Sequence, residues 1–188
     1  MDLNKIPFVQ ARWFHSGRIG HGIKLICIHT AECPLKPGAE QGVAHYFKVT
    51  ERQASAHFTV GPTGVVQSVK IADTAWAAKN ANSNGVHIEH TGYAAFTPAD
   101  WDMPEAKAML ELSAQLVASL CKELEIPARR VEFAGTDNPS VLVSGLCGHR
   151  DVPLHGSHSD PGLNFPWATY LERVSFYLDQ LGPLAKTG

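Results

Sequence analysis

The sequence predicts a single mixed α/β domain, with a central sheet of about five or six strands flanked by helices. Three observations predict it. Short apolar, β-rich runs alternate along the chain with runs of helical period. A length of 188 residues suits one ordinary core and leaves too little for two. Hydrophobic residues reach 44% against 18% charged, so a core forms and disorder is excluded. Lys24 to His29 (KLICIH) reads as a buried strand, and the turn-rich stretch Ala31 to Gly38, with two prolines, follows it. Ala39 to Val49 reads as a helix with Val43, Tyr46 and Phe47 on one face. Ser55 to Val60 and Val65 to Val69 form a hairpin through Gly61-Pro62-Thr63-Gly64, and Val86 to His90 is another strand. The longest helix carries Leu112, Leu116, Leu120 and Leu124 at every fourth residue, widened by Met109 and Val117. Two signals compete for its start, Thr97-Pro98-Ala99-Asp100 and Asp102-Met103-Pro104-Glu105. Val141 to Cys147 leads into His149. Trp167 to Leu181 closes the chain as a helix with Tyr170, Val174, Tyr177 and Leu178 facing inward.

Sixteen basic and eighteen acidic residues leave a net charge of −2, which gives no electrostatic footprint for nucleic acid or an anionic membrane. No apolar run approaches the ~20 residues of a membrane span. The start, MDLNKIPFVQARWF, lacks the layout of a signal peptide, so the expected place of synthesis is the cytoplasm, without membrane insertion. Four cysteines are too few for a disulfide scaffold. Ten histidines, against four tyrosines and four tryptophans, direct attention to metal ligation.

Histidines stand at three strand ends: His29, His149, and His87 with His90 around Glu89. A catalytic zinc takes three protein ligands and keeps an open position, and strand ends hold ligands rigidly. His29 and His149 meet that demand. Ser159-Asp160-Pro161-Gly162, whose Pro-Gly fixes the backbone, offers a third donor. Taken singly, each reads as well as a hydrogen-bonded histidine or a plain turn. A closed tetrahedral site of Cys27, His29, Cys147 and His149 competes, although residues two apart on a strand rarely both reach one ion. Cys27, Cys121 and Cys147 read by default as buried thiols, and a local disulfide between Cys27 and Cys33 stays open.

The ordered series Ile28-His29-Thr30-Ala31, Ala54-Ser55-Ala56-His57-Phe58, Gly61 to Gln67, Thr74-Ala75-Trp76, Asn82 with Ile88-Glu89, Gly148-His149-Arg150-Asp151 and Ser159-Asp160-Pro161-Gly162 resembles the type-2 N-acetylmuramoyl-L-alanine amidases. These zinc enzymes share a fold with peptidoglycan-recognition proteins and many phage endolysins. The resemblance covers about residues 22 to 172. It implies one Zn2+ per chain on His29, His149 and Asp160, with Glu89 beside the activated water. It implies substrate contacts from Thr30, His57, Trp76 and Asn82. Some relatives carry a tyrosine just before the histidine matching His57; Ala56 stands there, so the chain resembles the glutamate variant. Two positions depart from the pattern: His158 stands where a lysine is common, and Ala77 where a histidine usually follows the tryptophan. His158 then becomes the expected oxyanion-stabilising cation, and because histidine titrates near 6.5 rather than lysine's 10.4, activity gains a pH-sensitive limb. The expected boundaries are an N-terminal extension over 1–21 packed on the domain, a catalytic domain over 22–182 and a tail over 183–188.

The implied reaction cleaves the amide between N-acetylmuramic acid and L-alanine in peptidoglycan or a muropeptide. A non-catalytic peptidoglycan-binding protein is disfavoured by the complete ligand set. Neither a His-Glu-x-x-His zinc hydrolase nor a deaminase Pro-Cys-x-x-Cys pair is present. Two roles compete. A phage or prophage endolysin would reach the wall through another protein's membrane pore; a cytoplasmic recycling amidase would take soluble muropeptides. The loops Ala31 to Gly38 and Glu132 to Ser140 favour the endolysin by their likeness to phage insertions.

Overall fold

The computed structural model describes residues 1–18, 20, 22–131, 133, 143–153 and 156–182. In chain order its elements are β1 (Phe14–His15), β2 (Leu25–Thr30), α1 (Ala39–Val49), β3 (Phe58–Gly61), β4 (Gly64–Gln67), β5 (Thr74–Ala75), β6 (Gly85–His90), α2 (Pro98–Trp101), α3 (Pro104–Leu124), β7 (Gly145–Gly148) and α4 (Trp167–Gln180). The main sheet has five strands in the order β4-β3-β6-β2-β7, and β1 pairs with β5 in a separate ribbon. Strands β3, β6, β2 and β7 run parallel and only β4 is antiparallel, joined to β3 by the Gly61-Pro62-Thr63-Gly64 turn. All six residues of β2 are buried, as expected of a central parallel strand covered on both faces.

Alternation along the strands separates two environments. Ile26 and Ile28 of β2 with Val86 and Ile88 of β6 pack in the main core with Phe58, Val60, Met109, Leu116, Leu120, Tyr170 and Val174, beneath α3 and α4. The intervening residues Leu25, Cys27 and Cys147 face a smaller cluster with Ala78, Ala81, Val131 and Val152. His29, His87 and Glu89 share the odd-numbered parity that points away from the helices. Register does the rest. His29 lies opposite Glu89, and Ile28 opposite Gly148, so His29, Glu89 and His149 come to the carboxyl ends of three adjacent parallel strands, where ligands bind in sheets of this kind.

Both competing helix-start signals are used. Thr97 caps α2 in a reciprocal box with Asp100, and Pro104 opens α3 after a break at Met103. The hairpin strands are shorter than the sequence suggests, because Ser55 leaves the sheet to pair with Trp76 through its backbone N–H and its Oγ. In α1 the buried residues are Glu40, Ala44 and Phe47, whereas Tyr46 is 45% exposed. The strand leading into His149 is Gly145–Gly148; residues 141–142, most of the loop 132–140 and the tail 183–188 lie outside the described residues. The N-terminal stretch crosses the sheet edge: Val9 and Ala11 donate to Gln67 and Ser68 carbonyls, and the Arg18 guanidinium donates to the Ile71, Ser83 and Gly85 carbonyls. Among the described residues no helix is long and apolar enough to cross a membrane.

One polar chain ties the layers together. His90 Nδ1 donates to the His29 carbonyl at 3.1 Å, which leaves its Nε2 to accept from Ser113 Oγ at 2.6 Å, and Ser113 in turn accepts from the Tyr170 hydroxyl at 2.6 Å. Burial pushes His90 down to about 4, so the ring is neutral as the chain requires. Ser113→Ala orphans two buried groups and is expected to cost about 2–4 kcal/mol in urea unfolding, with kcat of the folded fraction unchanged.

Candidate active site

Three donor atoms converge at the strand ends. His29 Nδ1 lies 2.9 Å and His149 Nδ1 3.3 Å from Asp160 Oδ2. His29 and His149 are buried, and Asp160 is 8% exposed at the foot of a cavity of about 660 Å3. Asp160 arrives from a distant turn, and the turn can approach only because residue 148 is glycine: a Cβ there would stand 2.6 Å from Pro161 Cδ. Arg150 N–H donating to the Asp160 carbonyl at 2.9 Å pins the two segments together, and Gly148 N–H donating to Asp151 Oδ2 at 2.8 Å holds the turn that carries His149.

The donors fit a divalent cation. Burial opposes ionisation of Asp160, yet the two imidazoles beside it hold its carboxyl well below the usual carboxylate range. Burial also pushes His29 down, toward neutrality. A buried carboxylate oxygen facing two imidazole nitrogens suits a cation held by all three, and two nitrogens plus one oxygen with one side open to a cavity is a donor set of the kind that catalytic metal sites use.

Glu89 stands across from His29. Its Oε2 is buried without a hydrogen-bond partner, and the side chain lines the cavity. Burial, then the charges of Asp160 and Glu32, push its carboxyl up to about 8. Such a group exchanges a proton near neutral pH, as general acid–base work requires. Glu32, at φ 50°, accepts from Thr30 Oγ1 and from Ala94 N–H, both at 2.8 Å.

His158 lies half exposed on the rim, its ring stacked on His149 at 4.0 Å and its Nδ1 3.5 Å from Asp160 Oδ1. Trp76, Ala77, His149 and His158 border both the main cavity and a neighbouring one of about 650 Å3. Trp76 also stacks on Trp13 at 5.9 Å. Thr30 lines the main cavity. Asn82 lines the second, where its Oδ1 accepts from Ala77 and Ala78 N–H at 3.0 and 2.8 Å.

Other sequence expectations are corrected. His57 does not reach either cavity: it is fully buried, accepting the His87 backbone N–H at Nδ1, and burial with the adjacent Arg18 pushes it down to about 3. Cys27 and Cys33 are free thiols; Cys27 faces Cys147 inside the sheet, while Cys33 bridges to Gly92 in the loop beyond. The closed site of Cys27, His29, Cys147 and His149 is not assembled, because His29 and His149 turn toward Asp160. Cys27 instead falls in a second group with His29 and His87. Sequence reasoning missed Glu32, Lys36 and Arg52, which line the main cavity from loops and carry no periodic signal.

The pattern of the N-acetylmuramoyl-L-alanine amidase family matches residues 19–163. N-acetylmuramoyl-L-alanine amidase A of Achromobacter lyticus is 28% identical over 155 residues, spanning 80% of this chain and 82% of that protein. Among solved structures, the Staphylococcus aureus hydrolase AmiA in complex with its ligand has a TM-score of 0.69 at 17% identity, covering 96% of this chain and 87% of its own. A selenomethionine derivative of AmpD gives 0.62 at 17%, covering 92% and 96%. The amidase LysC from Clostridium intestinale gives 0.59 at 14%, covering 91% and 97%. At those identities the solved structures speak for the fold, a mixed α/β domain like this one. The family match carries the rest: the chain belongs to the type-2 N-acetylmuramoyl-L-alanine amidase family and is an amidase acting on peptidoglycan.

Proposed function

We propose that the chain hydrolyses the amide between the lactyl group of N-acetylmuramic acid and L-alanine with one zinc ion held by His29, His149 and Asp160. The observation that carries this reading is the convergence of three buried donors beside an unpartnered glutamate at the foot of an open cavity. Bound there, zinc supplies a Lewis acid and a water that ionises near pH 7. Glu89 accepts one proton of the attacking water at its carboxylate and returns it to the departing amide nitrogen, so that C–N cleavage leaves a lactyl carboxylic acid and a neutral alanine amine, and the acid then gives up the water's second proton to that amine or to solvent. His158, on the rim beside His149, is placed to donate toward the carbonyl oxygen as it gains charge. Thr30, Trp76 and Asn82 border the space the substrate would occupy.

The role we infer is endolysin-like. The two cavities meet at Trp76, Ala77, His149 and His158, which gives an open groove across the site and suits a polymer better than a closed pocket would. Such a role implies export through a partner's pore. Mass analysis of products from purified peptidoglycan is expected to show intact glycan chains and free stem peptides with an alanine N-terminus. Rates on soluble muropeptide far above those on intact wall would assign a recycling role instead. His158→Lys is expected to extend the alkaline limb of the rate profile; an unchanged limb would remove His158 from the charge-stabilising role.

A further inference from the structure

Behind the donor triad lies a second buried layer that the reaction scheme does not use. His87 of β6 lies opposite Cys27 of β2, two residue pairs before the His29–Glu89 pair and on the same face. Its Nδ1 is 3.1 Å from His29 Nε2, and its own Nε2 is 3.1 Å from the Ala81 carbonyl. Ala81 is fixed by its N–H donating to the Ala78 carbonyl, and the His87 backbone N–H is held by His57. The contact with Ala81 also needs glycine at 85: a Cβ there would stand 2.6 Å from the Ala81 oxygen and 3.0 Å from His87 Nε2.

The protons in this chain are fixed by elimination. A carbonyl only accepts, so His87 Nε2 carries hydrogen and donates to Ala81. The nitrogens of the fully buried ring meet only His29 and the Ala81 carbonyl, with no carboxylate to balance a charge, and a neutral imidazole has one donor and one acceptor, so His87 Nδ1 is an acceptor. His29 Nε2 must then donate to it. His29 is left with its lone pair on Nδ1, the atom turned toward Asp160. The opposite tautomer of His29 would force His87 to donate from Nδ1 and leave its Nε2 lone pair against the Ala81 oxygen. That arrangement places two acceptors face to face in a buried site, whereas the assigned one turns the His29 Nδ1 lone pair to the Asp160 carboxylate, a contact that a cation held by both would relieve. Without His87, the Nδ1–H tautomer would be favoured in the metal-free protein, because that hydrogen satisfies Asp160.

We propose that His87 is a positioning residue for the metal centre: anchored on the Ala81 carbonyl, it fixes His29 as the Nε2–H tautomer and so holds Nδ1 free as a metal donor. The inference rests on the zinc reading above and goes beyond it, because it assigns a role to a side chain that touches neither substrate nor metal. Partners of this kind set the orientation of metal-bound imidazoles, and their loss typically weakens metal binding by about 10- to 100-fold.

The test uses the full chain and two variants. In His87→Leu the acceptor is gone; in His87→Asn the amide oxygen takes the place of Nδ1. Zinc affinity, read by competition with a chromophoric chelator, is expected to fall about 10- to 100-fold in His87→Leu and to recover to within a few-fold in His87→Asn. The 15N shifts of the metal-free wild type are expected to show His29 protonated at Nε2, and His87→Leu is expected to move that proton to Nδ1. Wild-type affinity in a folded His87→Leu, or a wild-type His29 protonated at Nδ1, would overturn the proposal. The wild-type spectrum decides even if the leucine variant fails to fold. Zinc lost from both His87 variants but retained by His149→Ala would put the metal on Cys27, His29 and His87, and would overturn the positioning role together with the site assignment. Failure of the zinc reading alone is recognised separately, as a wild type that binds no zinc while its His29 tautomer stays as assigned.

Discussion

Glu89→Gln is expected to lower turnover by about 10²- to 10⁴-fold while zinc stays bound and the folded state becomes more stable at alkaline pH. The loss follows from the missing proton carrier, since an amide cannot take a proton from water and return it to nitrogen. The gain follows from burial. Glu89 rises from 4.5 in the unfolded chain to about 8 in the metal-free fold, so between those values the folded state binds the extra proton. Stability contributed by this group therefore falls as pH rises, by up to about 1.4 kcal/mol per pH unit across that window. Glutamine carries no charge to bury and escapes the penalty. Metal-free wild type and variant should unfold at similar urea concentrations at pH 5 and diverge by several kcal/mol at pH 8. Zinc narrows that gap, because a cation beside Glu89 favours its ionised form. A variant as active as wild type would require another base, and parallel pH curves would mean that Glu89 is solvated.

What the sequence revealed was set by how far each feature depends on local chemistry. His29, His149 and Asp160 could be picked out because each sits at an identifiable break, two at strand ends and one in a Pro-Gly turn. Their convergence depends on the β2–β6 and β2–β7 registers, which no local pattern records. His87 illustrates the gap: in sequence it looks like one more histidine near Glu89, and only the register shows it behind His29 rather than at the cavity. The substrate contact that the resemblance implies for His57 is not met for a different reason: the ladder begins at Phe58, and Arg18 from the N-terminal stretch covers the ring. The competing helix starts could not be ranked because both are sound caps, and the chain uses them for two successive helices. Cys27 and Cys33 are close in number but diverge in space, since one stays inside β2 while the other follows the loop out to Gly92.

His29→Ala is expected to remove both zinc binding and hydrolysis, and the decisive measurement is how thermal stability depends on the metal. Two remaining donors, His149 and Asp160, fall short of the three that catalytic zinc sites use. A ligand that binds only the folded state stabilises it by about 4 kcal/mol at a thousand times its Kd, which for a chain of this size is roughly 8–16 °C in Tm. Wild type should lose that increment, and its activity, on exhaustive chelation and regain both with zinc. The metal-free variant is itself weakened, because His87 Nδ1 loses the buried hydrogen it accepts from His29 Nε2, a cost of about 1–3 kcal/mol. Comparing the variant with wild type would therefore mix two effects, whereas comparing each protein with and without zinc isolates the metal. His45→Ala, at an exposed position of α1, controls for the loss of any histidine and should keep the full zinc response. A His29→Ala protein whose Tm still rises with zinc, or a chelated wild type that still releases stem peptides, would take the ion out of the chemistry and leave Glu89 to act on an unassisted water.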